Sequence, residues 1–258
     1  GPGGSGRDAT APVAGTRAVG TIYWGTRGFR RAVKADPRAC LLRCYRVRSR
    51  AIDAMTKKNR TRHNLPKAER QQQLLNCAIS VAARNGLVRT VHADVAREAG
   101  VAVPTVFLYF RNRRVLILSI IDEVDRYYMA LGQRYHKGDL EPIEAVRQHL
   151  IGFADSVDHD PEYARIWLEW GALTRNEDGL WDAFLDFQER IIRMLAGSIR
   201  KAQKNGSVDR KISATNAARL IVASSYPVAQ LKFMRRGPRM VRQYLDQALH
   251  LALHSNDP

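Results

Sequence analysis

RTVHADVAREAGVAVPTVFLYFRNRR, Arg89 to Arg114, reads as two short helices joined by a tight turn. The first spans about Val91 to Ala99, with Val95, Ala96 and Ala99 as its apolar face. Gly100 follows, where a helix end favours a left-handed residue without a Cβ. The second runs from near Val103 to about Tyr109, with Pro104 in its first turn, where an N–H has no intrahelical partner to lose. Two helices separated by a short turn containing Gly make a helix-turn-helix pattern, whose second helix can lie in a DNA major groove. The alternative is an ordinary helical hairpin.

Upstream, Pro66 opens a helix to about Asn85. Leu74, Ala78, Val81 and Ala82 recur at helical spacing, as do Leu75 and Ile79, and Gly86 ends it. Thr90 is the best cap before the next helix. Further upstream, Thr56 to Leu65 is a basic arm with Lys57, Lys58, Arg60 and Arg62. Such an arm can enter a minor groove next to a major-groove helix, or it is a solvated leader.

Downstream, a long helix is expected from about Arg113 to Tyr135. Its stripe is Ile117, Ile121, Val124, Tyr128 and Leu131. Pro142 opens a helix to about Asp158 with Val146, Leu150 and Phe153 inside. The turn at Asp158–Pro161 leads to a helix carrying Ile166, Trp167 and Trp170, and a loop follows around Asn176–Gly179. Phe184, Phe187, Ile191, Leu195, Ile199 and Ala202 face one way on the next helix, and Lys204-Asn205-Gly206 signals its end. Ser213 caps a helix to about Arg235, interrupted by Pro227. Gly237-Pro238 precedes a last helix with Val241, Leu245, Ala248, Leu249 and Ala252. No strand pattern survives after Met55, so the fold class is all-α with about nine helices. The last two helices are apolar over more than a narrow stripe, which predicts burial against a second copy in a two-fold four-helix interface.

The charge is uneven. The chain carries a net +17, of which residues 1–62 supply +12 from 15 basic and 3 acidic side chains. The remaining +5 makes the folded part only mildly basic, so charge alone does not establish nucleic-acid binding. Residues 1–55 form a Gly/Ala/Pro-rich and then Arg-rich extension, read as mostly disordered. It is either an addition upstream of a start at Met55 or a basic tail adding non-specific DNA affinity. Residues 56–112 are expected to hold the arm and helix-turn-helix. Residues 113–254 are expected to form a ligand-binding and dimerisation domain.

Three cysteines, Cys40, Cys44 and Cys77, make no disulfide framework and no zinc-spaced set. No apolar run is long enough to span a membrane, and no signal-peptide core opens the chain. A cytoplasmic, nucleoid-associated protein without membrane attachment is the expectation. No nucleophile–base pair, no metal-ligand spacing and no phosphate-binding glycine loop is present, so no enzyme, metal or cofactor is expected.

GVAVPTVFLYF at Gly100–Phe110, followed by a long helix and an α-helical remainder, resembles the TetR family of one-component transcription regulators. More narrowly it is similar to that family's LuxR-type quorum-sensing master-regulator branch. The matches are the arm at Arg60–Arg62, ERQQQLL at Glu69–Leu75, HADVA at His92–Ala96, TVFLYF at Thr105–Phe110, WLEWGALTR at Trp167–Arg175 and KNGSV near Gly206. The resemblance covers roughly Arg60 to Leu253.

It implies a homodimer, joined through the last two helices, on a pseudo-palindromic double-stranded DNA operator. By position, Thr105 and Tyr109 would hold phosphates, which fixes register without reading sequence. Thr90 and His92 would meet the backbone at the helix start, and Arg60 and Arg62 would enter the minor groove. Arg111, Arg113 and Arg114 either add phosphate contacts or form a solvated face. Leu108 stands where the branch carries Asn, and with Val103 and Pro104 it offers only apolar contact, such as to thymine methyls. Ala102 replaces a capping Ser. The resemblance also implies a pocket for a small, largely apolar ligand lined by Tyr128, Leu131, His149, Phe153, Trp167, Gln188 and Ser225, reshaped by a kink at Pro227. These aromatic residues are equally the pattern of a plain helical core. A drug- or metabolite-responsive repressor of a neighbouring gene is the alternative function.

Overall fold

A computed structural model describes residues 65–173 and 179–254. Among the described residues there are nine α-helices, one short 3-10 turn and no strand. In chain order they are α1 (Lys67–Asn85), the 3-10 turn Leu87–Arg89, α2 (His92–Ala99), α3 (Val103–Tyr109), α4 (Arg113–His136) and α5 (Pro142–His159). After these come α6 (Pro161–Leu173), α7 (Leu180–Lys204), α8 (Ala214–Phe233) and α9 (Pro238–Leu253).

The periodicities become one continuous core. On α1, Leu74, Ala78, Val81 and Ala82 are buried, and so are Leu75 and Ile79 on the adjoining rows. All five residues of the α4 stripe are buried, as are the six apolar positions expected on α7. Ion pairs fasten the helices at their margins: Arg190 of α7 to Asp125 of α4, Arg147 of α5 to Asp246 of α9, and Lys232 of α8 to Asp158 of α5. The Trp170 indole N–H donates to the Leu180 carbonyl at 2.8 Å, tying the body of α6 to the start of α7. α6 also packs against α1 and the 3-10 turn, so the bundle is in direct contact with the helix-turn-helix end.

Helix ends follow local chemistry. Gly100 adopts φ 65°, ψ 33°, the left-handed conformation expected of it. The Asn112 side chain accepts from the Val115 N–H at 2.9 Å and caps α4; the sequence reading did not assign that cap. Ser213 caps α8 by accepting from the Asn216 N–H at 3.4 Å.

Two local expectations are corrected. Thr90 does not cap α2: its hydroxyl donates backwards to the Gly86 carbonyl at 2.9 Å, and Val91 takes the cap position without a side-chain bond. Pro227 does not interrupt α8, which runs unbroken from Ala214 to Phe233. Proline removes one backbone donor there, but buried Ile221, Ser224, Val228 and Ala229 hold the helix on both sides of it. No helix among the described residues is long and apolar enough to cross a membrane.

Candidate nucleic-acid interface

The helix-turn-helix is built from α2, the turn at Gly100 and α3. Val95, Ala96, Val106 and Phe110 pin both helices to α1 and α4 from the inside. An Arg84–Glu98 pair at 2.6 Å braces α1 against α2. The exterior of α3 is apolar and uncovered: Leu108 is 81% exposed, and Val103, Pro104 and Phe107 are exposed beside it. Thr105 and Tyr109 are half-buried at the edges of that face. Ala102 is the N-cap of α3 and supplies no side-chain hydrogen bond, as its replacement of Ser implies.

Thr90 and His92 are placed inside rather than at the surface. Thr90 is fully buried with its hydroxyl committed to Gly86. The His92 ring stacks on Phe107 with centroids 4.0 Å apart, and its Nε2 meets the Phe110 carbonyl at 2.6 Å. His92 holds α2 to α3, and the Thr90 hydroxyl closes the 3-10 turn that leads into α2. Arg113 is exposed, but its guanidinium donates to the Val88 carbonyl and links the start of α4 to the 3-10 turn. Arg111 is exposed. Arg60 and Arg62 lie outside the described residues.

Phe107 was missed by the sequence reading. Its position one turn before Arg111 on the face shared with Leu108 was the available signal.

The residues expected to line a ligand pocket fall into two groups. Tyr128, Phe153 and Trp167 form one ring cluster, with centroids 5.6 Å apart for Tyr128–Phe153 and 5.2 Å for Phe153–Trp167. Tyr226 extends it, 4.5 Å from Trp167, and Gln188 reaches the cluster through a hydrogen bond to Tyr226. Ser225, the neighbour of Tyr226, is half-buried. Burial raises the Tyr226 phenol to about 12 and pushes Tyr128 up as well. The Tyr128 hydroxyl has no hydrogen-bond partner of good geometry; the nearby Ser156 hydroxyl donates to the Phe153 carbonyl at 2.7 Å.

His149 belongs to the second group, near the far end of α4. Its Nδ1 lies 2.9 Å from His136 Nε2, and His136 Nδ1 lies 2.7 Å from the Ser198 hydroxyl. Burial pushes His136 down to about 4 and His149 to about 3. Leu131 is buried on the same part of α4. Gly132 permits the approach of His149, since a Cβ there would lie 2.9 Å from His149 Cε1. His136 and Tyr226 are the members that sequence reasoning overlooked. His136 lies one residue past the helix end expected at Tyr135, and Tyr226 lies beside Ser225, the neighbour that the resemblance pointed to.

A cavity of about 170 Å³ lies elsewhere, between α5 and α9, with Leu150 and Leu245 on its floor and Arg147, Lys232, Arg242 and Asp246 at its rim. Among the described residues no group of three or more His, Cys, Asp or Glu side chains could hold a metal ion.

The chain matches the family described as bacterial regulatory proteins, tetR family, over residues 74–120, which span α1 to α4. It is 31% identical over 157 residues to the HTH-type transcriptional regulator LuxR of Vibrio harveyi, covering 61% of this chain and 75% of that protein. The chain belongs to the tetR family. A TetR-family regulator from Rhodococcus sp. shares its fold with a TM-score of 0.61 at 20% identity, over 72% of this chain and 100% of that one. A transcriptional regulator FadR from Bacillus subtilis, solved in complex with stearoyl-CoA, gives 0.59 at 18% identity, over 70% and 97%. As a tetR-family member the chain is a DNA-binding transcription regulator and not an enzyme.

Proposed function

We infer that this regulator acts as a homodimer. Its two α3 helices enter successive major grooves of a pseudo-palindromic operator, and its arms, carrying Arg60 and Arg62, follow the minor groove. One observation carries this: α3 buries Val106 and Phe110 against the scaffold yet leaves Leu108 and its apolar neighbours uncovered. A rigidly held helix with a bare apolar face is suited to thymine methyls, with Thr105 and Tyr109 at its edges for phosphates. Arg111 adds a cation beside that face, and Arg113 can do so only by leaving the Val88 carbonyl.

Residues 56–112 then form the DNA-binding part, and residues 113–254 the regulatory and dimerising part. The outward faces of α8 and α9 support the dimer. Leu220, Ala223 and Pro227 recur along one side of α8 with Met234 just past its end, and Met240 and Leu251 lie on α9, at exposures of 47% for Leu220, 61% for Met234, 47% for Met240 and 57% for Leu251. The similarity to LuxR supports a quorum-sensing role in the cytoplasm, at the nucleoid.

Selection of bound duplexes from a random pool tests this reading, with the full chain and with a chain beginning at residue 56, at several salt concentrations. A palindromic motif recovered by both supports it. Binding without sequence preference that disappears with residues 1–55 overturns it.

A second reading adds control by a small apolar ligand in the Tyr128–Phe153–Trp167 region, as in a drug- or metabolite-responsive repressor. The buried Tyr128 hydroxyl, beside Ser156 but without a hydrogen bond of good geometry, favours it, and so does the fold shared with a regulator solved with stearoyl-CoA. Native mass spectrometry of the protein purified from its host, with a bound molecule displacing operator DNA, would establish that reading. A ligand-free protein whose DNA occupancy follows only its own concentration would remove it.

A further inference from the structure

The turn between α8 and α9 reads KFMRRGPRMVR, Lys232 to Arg242. It holds five cations and no acid. Lys232 is occupied by Asp158. Arg235, Arg236, Arg239 and Arg242 are exposed, and none takes part in an ion pair among the described residues. Four arginines so close together repel one another. Surface cations elsewhere on the bundle are paired with acids, as Arg147 of α5 is with Glu144 of α5 and Asp246 of α9.

The backbone gives a second, independent sign. Arg235 sits at φ 54°, the left-handed region, and is the only non-glycine residue with positive φ among the described residues. It ends α8, with its N–H on the Lys232 carbonyl at 2.9 Å and the Arg236 N–H on the Leu231 carbonyl at 3.0 Å. Glycine is the default residue for that conformation at a helix end, because a Cβ is strained there. Gly237 stands two positions later and does not relieve it. An observed backbone outlier is a reason to look for function at that side chain.

The turn also lies at a telling place. Phe233 packs under the Arg165 guanidinium at 5.7 Å. One turn further along α6, about 6 Å by helix rise, the Glu169 carboxylate abuts Gly86, where a Cβ would come within 3.0 Å of Oε1. Gly86 leads directly into the helix-turn-helix. The arginine turn therefore belongs to the end of the bundle that carries α2 and α3, not to the far end where His136 meets His149.

We propose that Arg235, Arg236 and Arg239 form an auxiliary phosphate-binding surface that meets the DNA backbone between the two half-sites. This rests on the dimeric DNA-binding reading. Pairing through α8 and α9 would bring the two arginine turns near the two-fold axis, on the DNA side, over the centre of the operator. The contact is sequence-independent, because guanidinium groups on phosphates position a protein without reading bases. It raises affinity and its dependence on salt, and leaves the selected motif unchanged.

The test uses the full chain and a duplex selected by that chain from a random pool. Affinity is measured across a salt series for the wild type, for a variant with Arg235→Gly, Arg236→Gln and Arg239→Gln, and for one with Arg235→Lys, Arg236→Lys and Arg239→Lys. Each lost phosphate contact lowers the slope of log K against log salt by about 0.9. The glutamine-containing variant therefore loses about 2 in slope if one arginine per protomer contacts a phosphate and about 5 if all three do. The lysine variant keeps the slope, and all three chains select one motif. Arg235→Gly removes the backbone strain, so thermal unfolding of the first variant should not fall.

An unchanged slope in the first variant overturns the proposal. So does an equal fall in the lysine variant, which would make charge irrelevant. An unchanged slope with reduced reporter transcription assigns the surface to a protein partner and also overturns it. Failure of the wild type to select any duplex is a separate outcome, which defeats the DNA-binding reading and this proposal with it.

Discussion

The His92 imidazole lies parallel to the Phe107 ring, at 4.0 Å and 4°, while its Nε2 sits 2.6 Å from the Phe110 carbonyl. A carbonyl only accepts, so Nε2 carries the hydrogen in this bond. One side chain thus clamps the first residue of α2 to both the outer face and the end of α3. Replacing His92 by Ala removes a hydrogen bond and a ring stack, together about 1–3 kcal/mol. Urea denaturation reads the loss. A variant with unchanged stability and weakened DNA binding would mean that His92 touches DNA directly and that its clamp is dispensable.

Thr105 and Leu108 should separate affinity from base preference. Thr105→Ala removes a hydroxyl at the edge of α3 and is expected to weaken binding by about 0.5–1.5 kcal/mol on every sequence alike. Leu108→Asn changes a side chain that is 81% exposed, so stability should move by less than about 0.5 kcal/mol. Asn can pair with an adenine edge, so the motif selected from a random pool should change at one position in each half-site. An unaltered motif would show that Leu108 does not reach the bases.

The His136–His149 pair should make the fold acid-sensitive. Burial lowers both, to about 4 and about 3, from an ordinary value of 6.5. Above pH 6.5 both states are neutral and nothing is lost. As pH falls below 6.5 the unfolded chain takes up protons that the folded chain refuses, so stability declines until the folded values are reached. The slope is limited to about 1.4 kcal/mol per pH unit for each proton in the difference. A His136→Gln, His149→Gln variant should flatten the profile between pH 6.5 and 4 in chemical denaturation, and a profile as steep as the wild type would refute the assignment.

Gly171 on α6 is held against Tyr226 and Phe184; a Cβ there would lie 2.7 Å from Phe184 Cζ and closer still to the Tyr226 hydroxyl. Gly171→Ala should therefore destabilise by about 1–3 kcal/mol through overpacking, although alanine is the better helix former. Gly197, where nothing lies within 4 Å of an added Cβ, is the control: Gly197→Ala should stabilise α7 by up to about 1 kcal/mol. Thermal unfolding of both variants distinguishes the two, and a stabilised Gly171→Ala chain would show that the rings give way freely.

The dimer proposal is tested on α8 and α9. Leu220→Arg with Leu251→Arg places two charges on outward faces, where the isolated chain tolerates them. Sedimentation should then report a folded monomer in place of a dimer, with operator affinity reduced by about 100-fold or more because the second half-site is no longer held in the same molecule. A double variant that still sediments as a dimer would place the interface elsewhere.

Much of the helical frame was legible because its period is long and its punctuation local. The α4 stripe at Ile117, Ile121, Val124, Tyr128 and Leu131 could face only one way, and Gly100 could end α2 in only one conformation. Side-chain direction was less legible. Thr90 looked like a cap because threonine before a helix usually is one. Its hydroxyl instead turned back to Gly86, a choice made by burial in three dimensions. Pro227 looked like a break because propensity counts one residue at a time, whereas Ile221 and Val228 anchor the helix on both sides. The resemblance put His92 against the DNA backbone at a helix start, and only the positions of the Phe107 ring and the Phe110 carbonyl made it a clamp.

The chain of rings from Tyr128 through Phe153 and Trp167 to Tyr226 sets a threshold for any guest molecule. Entry there requires the rings to part first, and a parted state present in about 1 molecule in 100 would weaken the apparent Kd about 100-fold. Dilute or loosely fitting compounds would therefore leave the regulator untouched. On the second reading, the packed core would act as a filter against chemical noise.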